Sequence, residues 1–389
     1  MGLRCGRSLM CRSPRSLVSL ARIREVWPPF FRAIILKVGR NPSPGRSKGE
    51  SMSGVIIEQA VILAAGQGTR LAPLTADRPK SLLPVVGCPI LVRVMERLWE
   101  GGVRRFVIVV GPHERAVRAA IQATFEPSAE VRLVVQNVPT GTVDALGLAR
   151  PLLDGPFVLT SVDNITSADH VRTLIARYEA GPEQLAVLSL IPAMPAEIRQ
   201  SAGVLIEGER IAAVIEKPDN PPGQHAAIMV YALSPRVFDW LPLVEVSARG
   251  ERELVNALEA GIRAGERVGY AITDWRLHLT RSGDLLDINR WYLQEGQHAH
   301  AGSAIPASAR LEPPLWIDAG VRVGDGVVMG PNVYVERGAT VGQGAQVRDA
   351  VVLGGADIPA FAVCQDAVID RHTTFAADGQ RCEIASEEL

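Results

Sequence analysis

The 389-residue sequence lacks three things, and each absence removes a class of function. No apolar run approaches the ~20 residues that a membrane span needs, so no transmembrane segment or membrane partner is expected. Cysteine is scarce. Cys5, Cys11, Cys88, Cys364 and Cys382 are odd in number, scattered and without metal-ligand spacing. They fit neither a disulfide scaffold nor a zinc module, and they predict reduced thiols in a cytoplasmic compartment. Excess positive charge is also missing. The chain carries −1 overall, but residues 1–52 hold eleven Lys or Arg against Glu25 and Glu50, a local +9 that leaves the remainder near −10. A body of that sign does not fit a nucleic-acid binder. Any site for a phosphorylated ligand must therefore gather its cations locally.

The length suggests two or three domains, and 47% hydrophobic with 21% charged residues is ordinary for a well-packed protein. Residues 1–52 stand apart as a basic extension, Arg-rich, Ser-rich and poor in acids. That composition suits a transit peptide, or upstream sequence ahead of a first residue at Met52. The approach to the first strand within a few residues of Met52 favours the second. Neither gives the extension chemistry.

From Val55 to about Gln297 strands and helices alternate. VILAA at 61–65, FVIVV at 106–110, VRLVV at 131–135 and FVLT at 157–160 are short and apolar on both faces, as buried parallel strands are. Helical stretches lie near 89–100, 114–124, 142–152 and 168–180. The alternation predicts a three-layer, Rossmann-like α/β domain over 53–297. Ligands in such sheets sit beyond the carboxyl ends of the strands, which directs attention to Ala65, Val110, Gln136 and Asp163.

From Ile305 the period becomes six. Ile305, Leu311, Ile317, Val323, Met329, Val335, Val341, Val347 and Leu353 share one register, and Val321, Val327, Val333, Ala339, Ala345 and Val351 form a second apolar set. Turn-tolerant residues such as Gly320, Gly326, Asn332, Gly338 and Gly344 fall between them. Hexapeptide repeats build a parallel β-helix, expected over 303–370 as about three coils, with both apolar sets pointing inward. Residues 371–389 form a tail with a solvated acidic end.

The first constellation with chemistry follows the first strand. In Leu63-Ala64-Ala65-Gly66-Gln67-Gly68-Thr69-Arg70, small residues let the backbone approach a ligand, and successive N–H groups can form an anion-binding nest. A dinucleotide fingerprint would place a third glycine where Leu71 stands, and a Walker A loop would need Gly-Lys-Ser/Thr. The added cations Arg70 and Lys80, the latter in Pro79-Lys80-Ser81-Leu82-Leu83-Pro84, turn a plain glycine turn into a candidate phosphate grip.

LAAGQGTRLAPLT followed by PKSLLPV resembles the signature of the sugar-1-phosphate nucleotidyltransferases, or nucleotide-sugar pyrophosphorylases, over roughly 55–297. Members of that family often carry a C-terminal left-handed hexapeptide β-helix. The resemblance implies nucleotidyl transfer from a nucleoside triphosphate to a sugar 1-phosphate, with Arg70 and Lys80 on the triphosphate. Leu63, Ala64, Ala65, Gly66, Gly68 and Thr69 would be the binding loop. In QNVPTGTVDAL, Gln136 matches the base-recognition residue, and Gly141 and Thr142 the residues lining the nucleoside. An amide offers both donor and acceptor, which suits a uracil or thymine edge. Asp163 matches the aspartate that holds Mg²⁺, a cation that favours oxygen ligands. Glu216 and Lys217, in Ile215-Glu216-Lys217-Pro218, match the residues for sugar hydroxyls and sugar phosphate, and Gly203 a glycine against the sugar.

Three positions depart from the family pattern. Val162 replaces the glycine before Asp163, and Met229 a glycine in the sugar pocket. The second metal carboxylate falls on His278 when counted back from Asp284-Leu285-Leu286, with Asp274 available only if the strand end shifts. Histidine suits softer metals than Mg²⁺. These departures support an alternative, a catalytically impaired regulatory paralogue that binds nucleotide or nucleotide-sugar. Where β-helices of related proteins transfer an acyl group, they use a histidine base, so the resemblance would imply one here. The hexads at 305–358 contain none, and His372 lies outside them. The β-helix therefore reads as an assembly module of a homo-oligomer.

Overall fold

The computed structural model describes residues 56–247, 250–378, 380–382 and 385–386. The basic extension 1–52 and the acidic end at 387–389 lie outside the described residues. Among the described residues, no helix is long and apolar enough to cross a membrane, and Cys88 is a free thiol.

A nine-stranded sheet forms the first half. Its strands are β1 (Gln59–Ala64), β2 (Arg105–Val110), β3 (Glu130–Val135), β4 (Phe157–Ser161), β5 (Ala186–Pro192), β6 (Ala202–Glu207), β7 (Arg210–Glu216), β8 (His225–Leu233) and β9 (Val268–Ile272). The order is β7-β6-β8-β4-β1-β2-β3, with β5 on β8 and β9 on β5. β1 is central and pairs in parallel with β2 and β4, while β8 runs antiparallel to β4.

Period-2 alternation explains why β1 is apolar from Ala60 onward. Ala60, Ile62 and Ala64 enter the core on one side of the sheet, and Val61 and Leu63 enter the core on the other. Helices cover both sides. α1 (Ile90–Glu100), α2 (Glu114–Thr124), α4 (Ala168–Glu179) and α6 (Ser282–Glu295) contribute to the first core, and α3 (Thr142–Ala149) and α5 (Leu254–Arg263) to the second. Ser167 caps α4 by accepting from the His170 N–H at 3.1 Å, which satisfies one of the helix's unpaired donors.

Beyond α6 the chain winds through short strands in parallel ladders. Leu315–Ile317 pairs with Val333–Val335, Arg310–Leu311 with Val328–Met329, and Arg322–Val323 with Thr340–Val341. Partners are eighteen residues apart, three hexads per circuit. Ile317, Val327, Met329, Val335, Val341 and Val347 form a separate core inside the winding.

The hexad register fails at two anchors. Val333 pairs with Ala350 and Val335 with Val352, seventeen residues apart, whereas Met329 still pairs with Val347. One residue is lost at the corner through Arg348 and Asp349. A one-residue slip exchanges the two faces of a strand. Ala350 and Val352 therefore point inward, and Val351 and Leu353, expected inside, point outward. They join Tyr334, Val368 and Phe375 in the first core, against the α/β half.

Candidate active site

β1 delivers one wall of the site at its carboxyl end. Gly68 makes the turn with φ 64° and ψ 34°, a left-handed conformation that side chains resist. A Cβ there would also lie 3.2 Å from Lys80 Cβ and from Thr75 Cγ2. The Gly68 carbonyl accepts from the Thr75 hydroxyl at 3.1 Å and from the Leu71 N–H at 2.9 Å, so the loop is fixed by its own hydrogen bonds. Leu63 and Ala64 are buried, Ala65 is half-buried, and Gly66, Thr69 and Arg70 are exposed.

Lys80 sits behind this loop and donates from Nζ to Asp163 Oδ2 at 2.5 Å, the two side chains being 11% and 24% exposed. Asp163 is delivered by β4 through Val162. The Val162 N–H donates to the Leu63 carbonyl at 3.0 Å, and its side chain turns into the core. Asp163 Oδ1 accepts from Ser161 Oγ at 2.6 Å and from Asn164 Nδ2 at 3.3 Å. Burial pushes the Asp163 carboxyl up, but the Lys80 charge and the bonds from Lys80 and Ser161 hold it below its usual range.

His278 faces the same carboxylate. The short strand Leu277–His278 pairs antiparallel with Asn164–Ile165, His278 lying opposite Asn164. Its Nε2 is 3.9 Å from Asp163 Oδ2, and its Nδ1 lies 3.1 Å from Thr280 Oγ1. Burial pushes the imidazole down despite Asp163, so the ring is neutral at pH 7. Asp274 is exposed.

Arg276, two residues earlier, is half-buried and feels the carboxylates of Asp163 and Glu197 without an ion pair to either. Sequence reasoning passed over Arg276, Ser161 and Asn164. The available signal was period-2 alternation, which sets Arg276 and His278 on one face, and the polar run that ends β4.

The remaining candidates lie further out. Glu216 ends β7, and Lys217 follows with φ 46°, its N–H donating to the Ser201 carbonyl at 2.8 Å. The Lys217 side chain is 45% exposed, with Nζ 3.9 Å from Glu216 Oε1. Gly203 is crowded by protein, since a Cβ would lie 2.7 Å from Pro222, 2.8 Å from Ile198 and 3.0 Å from Pro218. Met229 sits at the irregularity of β8, between Ile228 and Tyr231, packed on the second core. Gln136 is buried with no partner for Nε2 among the described residues, and it lines an open cleft of about 790 Å³ with Thr140, Asp144, Arg150 and Arg252. Gly141 (φ 118°) lies against the Arg252 backbone, and Thr142 Oγ1 accepts from the Leu254 N–H at 2.9 Å.

An ionised Asp163 beside a neutral His278 is a donor set that a divalent cation fits, provided it shares or replaces Lys80 at Oδ2. Among the described residues no group of three or more His, Cys, Asp or Glu is gathered for a metal. A cation here would complete its shell with ligand oxygens, as Mg²⁺ commonly does on phosphates.

The nucleotidyl transferase family model matches residues 59–321. The chain belongs to the nucleotidyl transferase family. This nucleotidyl transferase is 29% identical over 242 residues to a low-salt glycan biosynthesis nucleotidyltransferase from Haloferax volcanii, a match spanning 61% of this chain and 66% of that protein. It is 27% identical over 336 residues to a glucose-1-phosphate thymidylyltransferase from Streptomyces griseus, covering 81% of this chain and 92% of that one. The mixed α/β nucleotidyltransferase fold is shared with the crystal structure of a UDP-glucose pyrophosphorylase complexed with UDP-glucose. The TM-score is 0.56 at 20% identity, over 62% of this chain and all of that chain.

Proposed function

We propose that this nucleotidyl transferase moves a nucleotidyl group, from UTP or dTTP in preference to other nucleotides, onto a sugar 1-phosphate. The observation that carries this reading is the Lys80–Asp163 pair beside the Gly68 turn, at the carboxyl ends of two adjacent parallel strands. A sugar-phosphate oxygen attacks the α-phosphorus, the bond from that phosphorus to the bridging oxygen breaks, and pyrophosphate leaves with the electron pair. Positioning and charge neutralisation are the protein's contribution. Arg70 and Lys80 grip the triphosphate over the backbone of Leu63 to Thr69. Lys217 brings in the sugar phosphate against its charge, aided by Arg276, with Glu216 and Gly203 bounding the sugar. Gln136 reads the pyrimidine edge with its unpaired Nε2, and Gly141 and Thr142 flank the nucleoside. Asp163 would hold Mg²⁺, which when bound neutralises phosphate charge.

We also read the parallel ladders as a left-handed β-helix over 303–370, following a nucleotidyltransferase domain over 53–297, with a tail at 371–389. Eighteen- and seventeen-residue circuits support it, and the walls not docked on the catalytic half would serve a cytoplasmic homo-oligomer. The deciding measurement is pyrophosphate release with four nucleoside triphosphates, several sugar 1-phosphates, and Mg²⁺ against Mn²⁺. A second reading, a catalytically impaired regulatory paralogue, is favoured by His278 standing where a carboxylate would face Asp163. Tight nucleotide binding with no turnover under any of these conditions supports the paralogue and refutes the enzyme.

A further inference from the structure

We propose that the C-terminal coil is a working part of the triphosphate site, with Glu336 acting through Arg78 as a positioning residue for Lys80. The inference rests on the reading of Lys80 as the phosphate cation. Lys80 lies in a connector, not in a strand or a long helix, so something other than regular structure must fix it. Two residues before it, Arg78 makes a two-pronged bond to Glu336, Nη1 to Oε1 at 2.6 Å and Nη2 to Oε2 at 3.0 Å. Glu336 is itself held, because its Oε2 accepts from the Gly354 N–H at 2.6 Å. The Arg78 and Glu336 side chains are 25% and 18% exposed, so the pair is shielded, and fork-to-carboxylate geometry is directional. Pro79 then stiffens the link, and Lys80–Leu82 closes as a tight turn through Leu82 N–H to Pro79 and Leu83 N–H to Lys80.

The same connector is gripped twice more from the C-terminal side. Asp77 pairs with Arg371, and His372 Nε2 lies 3.7 Å from its Oδ2. Further along, Gly87 (φ +76°) turns against the Trp316 indole, where a Cβ would lie 2.9 Å from Nε1. The Asp77 contact is exposed and contributes little. The Arg78–Glu336 fork is therefore the grip expected to set Lys80. A different contact ties the coil to the catalytic half without touching the connector: Arg290 of α6 bonds Asp349 at 3.2 Å and Asp366 at 3.0 Å. It supplies the control.

The test compares Glu336→Gln, Glu336→Ala and Arg290→Gln, each in wild-type and Lys80→Ala backgrounds. Glu336→Gln is expected to lower kcat about tenfold, and Glu336→Ala more, since small misplacements of a catalytic group are costly. In the Lys80→Ala background the same changes should cost less than about twofold, because groups that act as one unit are not additive. Arg290→Gln should lower the melting temperature and leave kcat within about twofold in both backgrounds. Backbone amide exchange at Leu82 and Leu83 should rise in the Glu336 variants and stay unchanged in Arg290→Gln. Unchanged exchange in both Glu336 variants, or a kcat loss of the same size with and without Lys80, overturns the proposal. If Lys80→Ala alone keeps the wild-type rate, the role of Lys80 in transfer is wrong, and the exchange measurement still decides the buttress.

Discussion

Replacing Lys80 with alanine separates two jobs that one ammonium performs. In the resting protein its Nζ neutralises Asp163 at 2.5 Å, and in the proposed reaction it takes charge shifting onto pyrophosphate. Breaking a fully buried ion pair costs ~3–5 kcal/mol and an exposed one ~0–1 kcal/mol. With the side chains 11% and 24% exposed, solvent screens this pair in part, and we expect a stability loss of about 2 kcal/mol. Ser161 and Asn164 still support Asp163, so the variant should fold. The catalytic loss is larger. Removing one preorganised contact to developing charge costs ~2.7–4 kcal/mol of barrier, a rate loss on the order of a hundredfold or more. The sign of the pH dependence separates the two effects. The folded carboxyl of Asp163 is held below its unfolded value, so the pair's stabilisation is present above about pH 3.9 and disappears as pH falls through the folded value. Urea melts of wild type and variant should differ at pH 7 and converge below that range. Turnover would be followed by pyrophosphate release at saturating nucleotide. A Lys80→Ala enzyme with the wild-type kcat refutes the assignment, whatever the melts show.

Three further outcomes are expected. His278→Asp places a second carboxylate before Asp163 and should raise Mg²⁺-supported turnover relative to Mn²⁺, checked by the ratio of the two rates; an unchanged ratio removes His278 from the metal question. Gly203→Ala drives a Cβ to 2.7 Å from Pro222 and 3.0 Å from Pro218, which should destabilise by ~1–3 kcal/mol and raise KM for sugar phosphate more than it changes kcat. His170 is buried with Nε2 2.7 Å from Ser189 Oγ, and burial pushes its imidazole down. Its contribution is thus present above about pH 6.5 and is lost on acidification, so His170→Gln should flatten the decline in urea stability between pH 7 and pH 5.

What was legible in the sequence follows from which forces act locally. The parallel strands β1, β2 and β4 were readable because both their faces are buried, leaving little but branched apolar residues; β3 lies half-exposed at the sheet edge and was readable only because its run stays apolar apart from Glu130 and Arg132. The carboxyl ends of β4 and β3 located Asp163 and Gln136. The Gly68 turn was readable because a left-handed residue and a close neighbour both demand glycine. Arg276 was not, because an arginine between a tryptophan and a leucine reads as a solvated charge until the fold brings Asp163 and Glu197 near it. Arg78 and Glu336 were unreadable for a stronger reason: a bond between residues in different modules leaves no local pattern in either.

The coil carries the clearest case of a pattern that was right in kind and wrong in register. Period six predicted the inward anchors well through Val347, because each circuit repeats one environment. Val351 and Leu353 are apolar and fall on the period, yet they face outward. Nothing in their chemistry distinguishes them from Ala350 and Val352, which took the inner places. The difference lies in what the outer wall meets. On an exposed wall, turning Val351 and Leu353 outward would leave two large apolar side chains in water, at roughly 1.5–3 kcal/mol each. On this wall they are buried against the core that also holds Leu285, Ile288 and Tyr292 of α6. The shortened corner serves the same docking, since Asp349 and Asp366 adopt φ 45° and 49° there and both accept from Arg290. Loss of one residue, reversal of the wall and capture of Arg290 are thus one structural event. It holds the coil against the half of the molecule that contains Lys80.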